Sequence, residues 1–467
     1  MLYPGAPTET RPSLLPKLAI KPWVPAPAPY LALINAMVVD PKSGSLLQSE
    51  NGNKLYSILI KDGKFADVRP TNGKDNDLGK TEKYLVVDLA GDYYICPGLI
   101  DCHVHVTAVP GVKTMGELMR VSPQEVDFRT TYVLKGARIE MLSRGFTTVR
   151  DTGGATKVLA NSIEEGLIEG PRLFQCGKAI SQTGGHGDFS PAQSGGHELG
   201  CCGGGDIGLF GRVADGVPAV LSAVRGELKA GADFIKIMIG GGVASETDAI
   251  ESVQYTAEEI RAITTTCKQM GGKLSTAHAY TVEAIRHAID NGVQGIEHGN
   301  LIDETTANLM ASKGIYLTPT LSCYGIMARP PFEDFLPPSG KVKNEQVMKQ
   351  GLKALKIASA AGVTICYGSD LLTSMQALQT EEFAVRASVL PSQDILRHAT
   401  TNAAKLLNKS SLLGTISPGA YADLLVLDAN PLKDVTILDR SEDHLFAVIK
   451  QGRVMRSQLK ELKKLKA

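Results

Sequence analysis

Between about residues 96 and 408 the chain repeats one unit eight times: a short apolar strand, a turn, then a helix-forming stretch. The strand segments read LIDCHVH, FTTVRDTG, RLFQCG, DFIKIMI, KLSTAHA, GIEHG, IYLTPTL and VTICYGSD. Strands joined through helices run parallel and are covered on both faces, so they read as nearly continuous apolar runs. Eight consecutive units point to a closed barrel, and the expected architecture is an α/β fold, a (β/α)8 TIM barrel over 96–408. Glycine is 48 of 467 residues, above the usual ~7%, as many tight βα loops require. The helix after the fourth strand opens on a capping box, Thr256 with Glu259. The connection after the third strand, Ser181 to about Ala214, is long and glycine-rich, the kind of loop that often serves as a lid or binding loop.

The flanks differ. Residues 1–30 hold eight prolines and read as an extended arm, either a loose tail or a segment lying across a neighbouring subunit. Residues 31–95 carry β-branched and aromatic runs separated by Gly, Asp and Asn turns. Similar runs return at ADLLVLDAN and LFAVIKQGRVMR. The two ends, 31–95 and 409–460, are therefore expected to pair into one small β-domain. The final QLKELKKLKA reads as a solvated basic helix.

Charge narrows the partners. Lys and Arg number 49, Asp and Glu 49. A neutral chain lacks the basic surplus needed for nucleic acid or an anionic membrane. The eight cysteines form no C-x-x-C or disulfide framework, which suits a reduced, cytoplasmic protein. No run of ~18 apolar residues marks a membrane span, and the N-terminus lacks the apolar core of a signal peptide.

A barrel of this kind collects its chemistry at the C-terminal ends of its strands. The first strand ends Asp101-Cys102-His103-Val104-His105. Histidines at i and i+2 on a strand face the same side, as two imidazoles on one zinc-like ion do. The fourth strand carries Lys236 among apolar residues. Such a lysine either snorkels out or is buried, where its neutral amine gains weight and can take up carbon dioxide as a carbamate. His278 ends the fifth strand, His298 the sixth, and Asp370 follows the eighth. Each alone is weak evidence. Their coincidence at one mouth points to a metal centre.

With DCHVH, SQTGGHGD, AHAYT, IEHGN and GSDLL, the chain resembles the metal-dependent amidohydrolase superfamily over nearly all of its length after residue 30. Within it, the chain is similar to the Xaa-Pro dipeptidase and ochratoxinase branch, which cleaves amides of C-terminal amino acids. The resemblance implies a small β-sandwich beside the barrel and a homo-oligomer, in some members an octamer. It implies that His103 and His105 bind one divalent ion with Asp370 beside it, and that His278 and His298 bind a second. Carbamylated Lys236 would bridge the two ions, most simply zinc, with a hydroxide. Asp370 would carry the proton from that hydroxide to the leaving nitrogen. His186 and Tyr280 are candidates for contact with the oxyanion or substrate, and Tyr324, with Phe332 and Phe335 near it, for the substrate pocket. Arg150 and Asp151 could anchor a carboxylate or form a structural ion pair; the structural role is the expectation.

The alternative on the same fold is a deaminase or a cyclic-amide hydrolase of the imidazolonepropionase kind. Mononuclear deaminases place a Glu three residues after the fifth-strand histidine, where this chain has Thr281, and they lack the fourth-strand lysine. His197, His287, His398 and His444 have no ligand spacing. The GGG runs at 203–205 and 240–242 lack the Lys-Ser/Thr of a phosphate loop.

Overall fold

In the computed structural model, residues 21, 23–81, 83–135, 141–190, 209–463 and 465 are described. All eight expected strand segments are strands: β1 (Leu99–Val104), β2 (Phe146–Asp151), β3 (Arg172–Gln175), β4 (Ile235–Met238), β5 (Ser275–Ala279), β6 (Gly295–His298), β7 (Tyr316–Thr318) and β8 (Thr364–Ile365). β1, β2 and β3 pair in parallel as one sheet. β4 to β8 pair in parallel as another, extended beyond β4 by Ala179–Ser181 and Gly211–Val213. Hydrogen bonds tie the two sheets together. Cys102 N donates to Tyr367 O at 2.8 Å, joining β1 to the segment after β8, and Asp233 N donates to Gln175 O at 2.8 Å, joining β3 to the entry of β4.

The strands are held from outside by helices Gly216–Lys229, α1 (Ala257–Gln269) and Val282–Asp290. Ile237, Ile260, Ile263, Ala277 and Ile285 share one fully buried cluster there. Truncating such an isoleucine to alanine costs about 2–5 kcal/mol. α1 starts on the expected capping box: Thr256 Oγ1 accepts from Glu259 N, and the Glu259 carboxylate accepts from Thr256 N at 2.8 Å. The long loop after the third strand lies largely outside the described residues, as do Cys201, Cys202, His197 and the first GGG run.

The chain ends do meet. Leu31–Asp40 pairs with Leu55–Lys61 on one side and with Tyr94–Pro97 on the other. Tyr94–Pro97 pairs with Leu424–Leu427, and the order continues through Leu445–Lys450 to Arg453–Ser457. With Lys64–Pro70 beside Leu55–Lys61 and two short strands, the result is a nine-stranded mixed sheet. Its core is aliphatic: Leu33, Ile58, Ile95, Val426 and Ile449 pack in one cluster. The basic C-terminal segment is less solvated than its charge suggests. Among its described residues only Lys460–Lys463 is helical, and Leu462 is fully buried in that same cluster. The described part of the arm lies on its own chain: Lys21 Nζ donates to Glu165 at 2.6 Å, and Arg453 to the Ala26 carbonyl. Among the described residues no helix is long and apolar enough to cross a membrane.

Candidate active site

Six residues from five strand ends converge. His103 sits inside β1 and His105 just past it, their rings 5.4 Å apart. Asp370 lies beyond β8 and is pinned by its own N–H, which donates to His103 O at 2.8 Å. Its Oδ1 stands 3.4 Å from His103 Nε2 and 3.3 Å from His105 Nε2. These three side chains can offer ligand atoms to one ion. His298 ends β6 with its ring centroid 4.9 Å from that of His103, and His278 in β5 stands 4.5 Å from His298. Asp370 and His298 both adopt left-handed backbone, φ 52° and 74°, strained for residues with a Cβ and common where a site dictates side-chain direction.

Burial sets the protonation. It pushes His103 down to about 4 and holds His278 and His298 well below the usual histidine range. These imidazoles are neutral, the form that ligates metal. For His105 burial acts the same way, but the hydrogen bond and field of Asp370 outweigh it and the net shift is upward. Burial alone would raise Asp370; the neighbouring His103 and His105 overcome it and hold the carboxyl at about 2.

Lys236 is 2% exposed in β4. Among the described residues its ammonium has neither a hydrogen bond nor an ion pair, and burial lowers its pKa. An unpaired buried cation is costly. Converted to a carbamate, the same side chain becomes an oxygen ligand beside neutral imidazoles. The donor set of four histidines, one carboxylate and this lysine fits divalent metal.

Tyr280 and Tyr324 close one wall. Tyr324 Oη donates to Tyr280 Oη at 3.0 Å and lies 3.3 Å from His298 Nδ1. Both rings are buried with Phe335 in an apolar cluster, and Phe332 packs against it. His186 stacks on His278 with centroids 4.1 Å apart. Thr281 is a helix N-cap, its Oγ1 accepting from Ala284 N at 3.3 Å.

Arg150 and Asp151 are structural, but not as partners of each other. Arg150 donates to the Cys102 carbonyl at 2.6 Å and forms a buried ion pair with Glu297. Asp151 accepts from the backbone N–H groups of Val106, Gly153 and Ala155. The other described histidines have local duties: His287 with the Tyr255 carbonyl, His398 with Arg386 and His444 with Asp428.

Sequence reasoning missed Glu297. Its carboxylate accepts from Thr276 Oγ1 at 2.5 Å and from Arg150, and meets His103 Nδ1 at 2.8 Å. That contact orients His103 so that Nε2 faces Asp370. Burial raises the pKa of Glu297, but Arg150 and His103 drive it well below the usual range. Asp101 was missed too; it accepts from His103 N and from the Ser369 N–H and hydroxyl. The available signal was a carboxylate on a wholly buried strand, which must have a partner.

The amidohydrolase family model matches residues 94–455. The chain belongs to the amidohydrolase family. It is 32% identical to the ochratoxinase of Aspergillus niger over 355 residues, 73% of this chain and 72% of that one. The structure of a prolidase complexed with N-methylphosphonate-L-proline is 39% identical, with a TM-score of 0.84, over 92% of this chain and 100% of that one. A Xaa-Pro dipeptidase with bound methionine is 28% identical, with a TM-score of 0.78, over 92% of this chain and 100% of that one. This amidohydrolase is thus a hydrolytic enzyme acting on C–N bonds, in a family that acts on small-molecule amides and is generally metal-dependent.

Proposed function

We propose that the protein cleaves an amide bond to a C-terminal amino acid, in a dipeptide, an N-acyl amino acid or an ochratoxin-like amide. The observation that carries this reading is Lys236, buried without a partner beside two pairs of neutral or carboxylate-held histidines. In this reading His103, His105 and Asp370 hold one divalent cation, and His278 and His298 a second. Lys236 would contribute as a carbamate; its neutral amine would add to carbon dioxide, forming the N–C bond and releasing one proton. Divalent ions held by these residues would supply a nucleophilic hydroxide at neutral pH and a Lewis acid for the amide carbonyl, and zinc would suit the imidazole-rich set.

The chain's own groups do the rest. Asp370 accepts the proton of the attacking nucleophile and returns it to the leaving nitrogen. His186 and the Tyr280 hydroxyl donate hydrogen bonds to the developing oxyanion or the substrate carboxylate. Tyr324 orders Tyr280 through their shared hydrogen bond and forms part of the substrate wall. The apolar cluster around Tyr280, Tyr324 and Phe335 excludes water and favours an apolar group on the substrate.

In this reading residues 96–408 form a closed barrel, 31–95 with 409–460 the small β-sandwich, and 1–30 an arm. The enzyme is then a cytoplasmic homo-oligomer, up to an octamer; all six cysteines among the described residues are free and buried, as a reducing compartment allows.

The test is a hydrolysis screen of zinc-loaded protein. The panel holds Xaa-Pro, Xaa-Arg, Xaa-Lys and Xaa-Phe dipeptides, N-acyl amino acids and ochratoxin A, with adenine and guanine as controls. Release of the C-terminal amino acid is the expected result. Ammonia from a purine with no amide cleavage would overturn the reading in favour of a deaminase.

A further inference from the structure

His186 is held from behind by a set of polar groups that the reaction does not use. Its Nδ1 lies 2.7 Å from Ser245 Oγ, and the Ser245 hydroxyl donates in turn to Asp248 Oδ1. The single hydroxyl hydrogen of Ser245 is committed to that carboxylate, so Ser245 Oγ accepts from His186 and Nδ1 carries the proton. Asp248 Oδ2 stands 3.6 Å from the same Nδ1. It also accepts from Gly242 N at 2.9 Å and from Gln254 Nε2 at 3.3 Å. Gln254 closes the ring, its Oε1 accepting from His186 N at 3.0 Å. Ser245, Asp248 and Gln254 are 3%, 4% and 2% exposed.

Two further features fix the seat. Lys343, from helix α2 (Pro338–Ala360), reaches under the loop. Its Nζ donates to the carbonyls of Gly242, Ser245 and Asp248. Gly242 has no room for a side chain: a Cβ there would lie 1.9 Å from His186 Cε1. The imidazole is thus clamped between Gly242 and the His278 ring, with Nδ1 engaged and Nε2 without a partner among the described residues.

We infer that Ser245 and Asp248, braced by Lys343 on the Gly242 seat, are positioning residues that fix the ring plane and tautomer of His186, so that Nε2 is presented to the substrate. The inference rests on the reading that His186 contacts substrate. A buried serine, aspartate and glutamine on the loop that follows β4, beside His278, thereby gain a role. The nearby Lys343 is engaged by those three backbone carbonyls and by Asp248 Oδ1 at 3.7 Å, so it braces the seat from beneath.

The experiment is a double-mutant cycle in kcat and KM, on zinc-loaded protein with Ala-Pro and ochratoxin A as substrates, together with crystal structures of the variants. His186→Ala and Asp248→Asn should each lower kcat/KM by about 100-fold, the loss that follows a misplacement of about 1 Å. The double variant should fall no further than His186→Ala alone, because Asp248 acts through His186. Ser245→Ala, the milder change, should lose less, and Ser245→Thr should keep most of the activity. In the Asp248→Asn crystal the His186 ring should leave the Gly242 seat, a readout independent of turnover.

Independent, additive losses in the double variant, or a ring that stays in place, overturn the inference and leave the reading of His186 intact. If His186→Ala costs nothing on cleaved substrates, the inference falls together with that reading; if neither substrate is cleaved, the ring position in Asp248→Asn alone decides the positioning role, a displaced ring supporting it and an unmoved ring overturning it.

Discussion

Among the described residues two lysines are buried, in two different regions. Lys450 lies in the terminal sheet and is 6% exposed; its Nζ donates to the Gly170 carbonyl at 2.7 Å, near Asp423. Lys236 lies in β4 at 2% exposed and has no such partner among the described residues. Burial lowers both pKa values, Lys450 to about 8. The first lysine is satisfied as it stands. The second would gain a satisfied state through the proposed carbamate, near imidazoles that burial keeps neutral. Burial alone does not separate a structural lysine from a functional one; the partner does.

The sharpest way to break this comparison is to remove the barrel lysine. Lys236→Ala should lower kcat/KM by about three orders of magnitude, since the proposed metal pair would supply several kcal/mol of transition-state stabilisation. Elemental analysis should show fewer than two metals per chain, and added short carboxylates should restore part of the rate. Full activity with both metals retained would sink the carbamate. Stability should change little, because removing an unpaired buried amine leaves no orphaned partner.

Asp370→Asn comes next. It keeps an oxygen beside His103 and His105 but cannot carry a proton, so kcat should drop by about 10²- to 10⁴-fold. Undiminished turnover would assign the proton transfer elsewhere.

Glu297→Gln probes the carboxylate that orients His103. Metal affinity or activity should fall by about 10- to 100-fold. The metal-free protein should also melt earlier, because Arg150 loses a buried partner. A change in melting with no change in metal affinity would make Glu297 purely structural.

Lys450→Met gives the smallest effect and sharpens the contrast. Turnover should not change. In the wild type, Lys450 titrates at about 8 when folded and at the ordinary 10.5 when unfolded. Between those values the unfolded chain binds the extra proton, so stability rises with pH, by at most on the order of 1 kcal/mol per unit. Below about pH 8 both states are protonated and the contribution is flat. Denaturation curves from pH 7 to 10 should show this slope in the wild type and its loss in the variant. A slope that survives in Lys450→Met would assign it to another group.

Much of the site was legible because ligand chemistry resides in residue types at strand ends. His103, His105, His278, His298, Lys236 and Asp370 needed only the strand register to be placed at one mouth. The groups that orient them were not legible. Glu297 belongs to β6 but serves His103 on β1. The His186 seat draws Ser245 and Asp248 from the loop after β4, and Lys343 from a helix about a hundred residues further on. Hydrogen bonds across such separations leave no periodicity to read.

The sequence by itself determined the alternation of strands and helices and singled out the candidate ligand side chains, because periodicity and residue type are local properties. The tertiary structure decided which buried charges find partners. Lys450 meets a carbonyl 280 residues away, Arg150 meets Glu297 across the barrel, and Lys236 meets none among the described residues. A charge taken out of water is stabilised only by groups within a few ångströms, and which groups those are is fixed only when the whole chain has closed.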